Sequence, residues 1–118
     1  MAQAAKKPEQ DECSRCMMAV KDSLDVLQGR WKLPILLSLR YGNKRFMEIS
    51  REVNGITDKV LSKELKELEM NQLITRTIHA TFPPTVEYAI TDHGNSLDNV
   101  ISALRDWGLQ HRKQIIGK

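Results

Sequence analysis

A chain of 118 residues with 41% hydrophobic and 28% charged side chains has the size and balance for one domain around one core, with nothing left over for a second. No window approaches the roughly 18 consecutive apolar residues of a membrane span, and the segment 1–12 lacks the apolar stretch of a secretory signal, so no membrane partner and a cytoplasmic location are expected. Two cysteines, Cys13 and Cys16, are too few for a disulfide scaffold.

The net charge of +3 is unevenly spread. Residues 1–12 carry Lys6 and Lys7 against Glu9, Asp11 and Glu12, and between Val26 and Met47 stand Arg30, Lys32, Arg40, Lys44 and Arg45 with no acidic residue. Such a basic zone suits a polyanionic partner, with a solvated face as the alternative.

Residues 1–12 are polar, contain Pro8 and show no apolar period, which predicts a disordered lead-in and a folded domain over 13–118. Met17, Val20, Leu24 and Leu27 recur at steps of three and four, one face of a first helix that Gly29 can end. A second helix is predicted from about Trp31 to Tyr41, with Pro34 tolerated in its first turn. Leu33, Ile35, Leu36, Leu37 and Leu39 make it apolar over most of its circumference and therefore buried. A short amphipathic helix from Arg45 to Val53 would bury Phe46, Ile49 and Val53, and Asn54-Gly55 closes it. Thr57 can then cap a longer helix reaching about Asn71, with Val60, Leu61, Leu65 and Leu68 inward. Short helix, tight turn and longer helix make a helix-turn-helix.

From Leu73 to Phe82 the chain alternates and is rich in Ile and Thr, Pro83-Pro84 interrupts, and Thr85 to Ile90 alternates again. This predicts a two-stranded ribbon, so the fold class is mainly α with a small β wing, a winged helix-turn-helix. The last helix is predicted without interruption from Thr91 or Asp92 to about Ile116. Its apolar stripe, Leu97, Ile101, Leu104 and Trp107, is more than so small a core can cover, and a homodimer interface is expected there.

On the helix after Thr57, a rotation of about 100° per residue gathers Lys59, Lys63 and Lys66 within about 60° of one another, nearly opposite the leucines. In a helix-turn-helix this second helix enters the major groove of double-stranded operator DNA, so Thr57, Asp58, Lys59 and Ser62 are placed for base edges and Lys63 and Lys66 for phosphates or bases farther along. Asp58 reads better as support for the helix N-terminus than as a base contact. Lys44 and Arg45 are candidates for phosphate contacts, and Arg76, His79 and Thr81, read as near the ribbon tip, for the adjacent minor groove or backbone. A solvated face remains the alternative for the lysines, and an exposed strand residue for His79.

Four runs together, GRWKLPILLSL from Gly29, GNKRFMEI from Gly42, GITDKVLSKELKELE from Gly55 and PPTVEYAITDHG from Pro83, resemble the HxlR family of bacterial transcriptional regulators over about residues 13–107. The resemblance implies a winged helix, dimerisation through the terminal helices and binding to palindromic operators, most often with repression. It also implies, for some members, a reactive cysteine ahead of the first helix. Cys16 lies near that place but is followed by Met17 rather than proline, and Cys13 precedes it, so the choice between them stays open.

As a pair near a helix start with Arg15 between them, the two cysteines are candidate redox sensors; an internal disulfide and two inert thiols are the alternatives. Structural zinc would need His79, His93 and His111, scattered along the chain, and no metal or other cofactor is expected. The sequence contains no P-loop, nucleophile elbow or metalloprotease helix, so no enzyme is expected. The rival to a DNA-binding regulator is a winged helix used only as a protein-protein module.

Overall fold

The computed structural model describes residues 8–117, with side chains from residue 11 onward. Six helices and two strands follow one another: α1 Pro8–Val26, α2 Lys32–Leu39, α3 Phe46–Glu52, α4 Asp58–Met70, β1 Ile74–His79, β2 Thr85–Ile90, α5 Asp92–Asn95 and α6 Asp98–Ile116. The order is that of a winged helix-turn-helix.

The first helix starts five residues earlier than expected. Proline is tolerated at a first helical position because its missing N–H would have no intrahelical partner there, so Pro8 opens α1 instead of belonging to a tail. Of the predicted lead-in, residues 1–7 lie outside the described residues. Gly29, at φ +87°, makes the turn between α1 and α2.

The core is built by α2, α3, α4 and the start of the wing. Ile35, Leu36 and Leu39 of α2, Ile49 of α3, Leu61, Leu65 and Leu68 of α4, and Leu73 and Ile74 at the entry to the wing are all buried. Within α2 the expectation of burial all round is too broad: Leu37 is exposed and Leu33 only half-buried, because the neighbouring elements cover one side of the helix. Between α3 and α4, Asn54-Gly55 turns with Gly55 at φ +90°, and the Thr57 Oγ1 accepts from Val60 N at 3.2 Å to cap α4.

The wing is antiparallel, in register from Ile74 opposite Ile90 to His79 opposite Thr85. Lys44 extends the sheet by one residue, exchanging backbone hydrogen bonds with Tyr88 at 2.9 and 2.8 Å. β1 is shorter than the predicted Leu73–Phe82 run. Leu73 is instead a buried junction whose carbonyl accepts from Thr91 N at 3.0 Å and from Thr91 Oγ1 at 3.1 Å.

The last helix is two helices, not one. Thr91 Oγ1 caps α5 through Gly94 N at 2.9 Å, and Gly94 is packed so closely that an added Cβ would lie 2.3 Å from the Leu73 carbonyl oxygen. Ser96-Leu97 then forms a turn before α6 sets off, and Ser96 Oγ donates to the His93 carbonyl. The break comes from this docking of α5 on the wing, a tertiary contact that apolar periodicity does not report.

Most of α1 and α6 lies clear of the core, with Val26 at the end of α1 packed against it. The Cα radius of gyration, 18.9 Å, exceeds the about 13.5 Å of a compact chain this long, as two projecting helices require.

Candidate nucleic-acid interface

The exposed edge of α4 carries Lys59, Ser62, Lys63 and Lys66, while Leu61, Leu65 and Leu68 lie buried on the other side. One cleft along this edge is lined by Lys59, Ser62, Lys63, Lys66, Glu67 and Met70. A second separates α4 from the wing, with Ser62, Lys66 and Glu69 on the helix side and Arg76 and Tyr88 on the strand side. Arg76 is therefore not near the ribbon tip. It is the third residue of β1, paired with Tyr88, so it faces α4 across the cleft.

His79 and Thr81 lie elsewhere. His79 Nε2 is 3.2 Å from Glu87 Oε1, and Thr81 Oγ1 donates to the Pro83 carbonyl at 2.8 Å, so both side chains are engaged in holding the ribbon end. Thr57 is occupied as the α4 cap, and Asp58 Oδ1 accepts from Ser50 Oγ at 3.5 Å, linking α3 to α4.

In the basic zone from Val26 to Met47, Lys32, Arg40 and Lys44 are paired within the chain, while Arg30 and Arg45 are exposed. Lys32, only 2% exposed, sends its ammonium to Glu64 and Glu67, each at 2.6 Å, and so fastens α2 to α4. Burial opposes its charge, but the hydrogen bonds and attraction of the two carboxylates outweigh it and raise the Lys32 pKa above the ordinary 10.5. The same hydrogen bond from Lys32 holds the Glu67 carboxyl below its usual range. Lys44 is likewise turned inward, donating to the Ser38 carbonyl and pairing with Glu52 at 3.1 Å. Hydrogen bonds from Ser38 and then Lys44 lower the Glu52 pKa. Arg40 pairs with Asp98 at 3.2 Å, and Arg30 stacks over the Trp31 ring at 4.8 Å.

Around α3, α4 and the wing, Arg45, Arg51, Lys59, Lys66 and Arg76 are cations with no ion-pair partner among the described residues. Arg51 is the one that sequence reasoning missed. It shares with Arg45 a cleft between α3 and the wing, but in the sequence the stretch REVN is legible only through its apolar Val53. Lys63 is paired, at 3.5 Å to Glu67 and 3.7 Å to Glu64.

The terminal helices carry the remaining candidates. Cys13 and Cys16 are free and exposed on α1, beside Met17, Val20 and Leu24, which are 67%, 53% and 64% exposed. Because α1 begins at Pro8, both cysteines lie beyond the first turn, where the helix dipole has little reach; the expected dipole support for a thiolate is absent. On α6, Leu104 and Trp107 are exposed, Ile101 is half-buried like Leu97 in the turn before it, and Trp107 stacks on His111 at 4.8 Å. Among the described residues no helix is long and apolar enough to cross a membrane, and no three His, Cys, Asp or Glu side chains are grouped to hold a metal ion.

A helix-turn-helix whose second helix exposes a cationic edge beside a β wing defines the winged helix-turn-helix class of transcriptional regulators. Residues 26–116 match the model of the HxlR-like helix-turn-helix family, and the chain belongs to that family. It is 37% identical over 100 residues to the HTH-type transcriptional regulator YtcD of Bacillus subtilis, covering 85% of this chain and 79% of that one. It is 38% identical over 96 residues to YdeP of the same organism, covering 81% and 75%. The crystal structure of YtcD superposes with a TM-score of 0.75 over 78% of this chain and 94% of its own. The redox regulator HypR in its reduced form superposes with a TM-score of 0.78 at 32% identity, over 85% and 99%.

Proposed function

We propose that the chain is a cytoplasmic, non-enzymatic regulator that binds palindromic operator DNA as a homodimer and represses by occupying the site. The observation that carries this reading is the unpaired cationic edge of α4, Lys59 and Lys66, with Lys66 facing Arg76 of the wing across one cleft. With α4 in the major groove, Lys59 and Ser62 near its N-terminal end reach base edges. Lys66, Arg45 and Arg51 reach phosphates, and Arg76 follows the strand beside the groove. Thr57, Asp58 and Lys44 support that surface through their contacts within the chain, and His79 and Thr81 shape the wing.

Binding to the DNA upstream of its own gene, measured by fluorescence anisotropy at several salt concentrations, tests the reading. Lys66→Ala should reduce the magnitude of the slope of log K against log salt by about 0.9 on every sequence. Lys59→Ala should cost about 1–3 kcal/mol on the operator and much less on random DNA. A wild-type chain that binds no DNA even at low salt would instead mark a protein-protein module.

Homodimerisation rests on the exposed apolar stripes of α1 and α6, which together exceed what scattered surface residues explain. Thiol control rests on Cys13 and Cys16 bordering the α1 stripe, where oxidation would alter the packing of that face. Oxidant should then change operator affinity in the wild type but not in Cys16→Ser; equal responses would assign control away from Cys16.

A further inference from the structure

Lys63 stands in the middle of the cationic edge of α4, yet its ammonium lies against two carboxylates, Glu67 at 3.5 Å and Glu64 at 3.7 Å. An exposed pair four residues apart on a helix is weak by itself and would yield to a phosphate. Here the carboxylates are not free to move aside. Each is bound from the other side by Lys32 at 2.6 Å, and Lys32 is buried between α2 and α4. Two lysines and two glutamates thus form a cluster of zero net charge, anchored in the core and open at Lys63.

We propose that Glu67 is a specificity-determining residue, holding Lys63 on the protein so that it adds no phosphate contact when the regulator meets random DNA. This rests on the DNA-binding reading above. Non-specific affinity comes almost wholly from phosphate neutralisation, so each lysine withheld weakens random binding, whereas an operator also offers base contacts. A phosphate approaching Lys63 also approaches the fixed negative charge of Glu64 and Glu67. Withholding one cation therefore widens the ratio between operator and random DNA without any new contact to a base.

The test compares the wild type, Glu67→Gln, Lys63→Ala and the double variant on operator and on random duplex DNA, with thermal melting as the check on folding. In Glu67→Gln the glutamine keeps the shape, and Glu64 still compensates Lys32. Lys63, left only with the more distant Glu64 that Lys32 already neutralises, should then tighten random binding and steepen its salt slope by about 0.9, which is about a threefold greater fall in affinity between 50 and 200 mM salt. The operator should gain less, so the specificity ratio falls. In the Lys63→Ala background the gain should vanish. An unchanged slope in Glu67→Gln, or the same gain without Lys63, overturns the proposal. If Glu67→Gln does not fold, Lys63→Ala alone decides: it should leave the random-DNA slope unchanged while Lys66→Ala lowers it, and equal losses from both overturn the proposal. Absence of any wild-type binding at low salt would reject the DNA reading itself, a result distinct from each of these.

Discussion

Lys32 shows how differently one residue reads in a sequence and in a fold. Its partners, Glu64 and Glu67, stand 32 and 35 positions away, so along the chain it is an unaccompanied cation in a basic zone. Thr57, by contrast, was legible because a cap acts on a backbone N–H three residues on. Lys32→Met should destabilise the domain by about 3–5 kcal/mol in chemical denaturation, because the buried Glu64 would lose its direct counter-charge and keep only the exposed Lys63 at 3.7 Å. Adding Glu64→Leu should recover a large part of that loss; a double variant no more stable than the single one would contradict the pairing.

The same contacts give stability a two-sided pH dependence. Glu67 and Glu52 have folded pKa values below their unfolded ones, near 4.5, so their contribution is present above that value and is lost as pH falls through the lower folded values. Lys32 has a raised folded pKa, so its contribution is complete below about 10.5 and is lost as pH rises through the folded value. Melting temperature measured against pH should therefore be flat between about 5 and 10 and fall on both sides.

Among the elements, the helix-turn-helix and wing could be read from period and punctuation because each signal is local: apolar steps of three and four, Asn54-Gly55, the Thr57 cap and alternation up to Pro83-Pro84. The division between α5 and α6 could not. It depends on Gly94 meeting the Leu73 carbonyl and Ile90, which lie on other elements, while the apolar positions continue past it as if one helix ran through. Gly94→Ala would bring a methyl group within 2.3 Å of the Leu73 oxygen and 2.6 Å of Ile90 Cγ1. The variant should lose about 1–3 kcal/mol in denaturant unfolding. Wild-type stability in this variant would mean that α5 is not seated against the wing. Of the candidate interface, the lysine edge followed from helical rotation alone. The placement of Arg76 against α4 required the strand register, and the withdrawal of Lys44 required its contacts with Ser38 and Glu52.

At the scale of the whole molecule, two helices of 19 residues each leave most of their length outside the core. Sequence reasoning located surplus apolar surface on the last helix but not on α1, whose Met17, Val20 and Leu24 have the spacing of an ordinary core face. Only the lack of a covering neighbour among the described residues sets it apart from one. Leu104→Glu places a charge in the α6 stripe and should convert a dimer into a monomer in light scattering at micromolar concentration, with operator affinity falling in parallel. A wild-type chain that scatters as a monomer under those conditions would refute the assembly.

The Ser96-Leu97 joint has a consequence for how such a regulator and its target sites can diverge. On one side α5 is seated on the wing through Thr91 and Gly94; on the other, Arg40 ties the start of α6 to the end of α2 through Asp98. In the proposed dimer this joint fixes the angle between each reading head and the common axis, and hence the distance between the two α4 helices. One residue inserted there would turn α6 by about 100° and re-aim both heads at once. Half-sites need a separation near one turn of the duplex, so such an insertion would be inherited only alongside operators with a changed spacer. Joint length and spacer length are thus expected to vary together among relatives, even where every residue touching a base is the same.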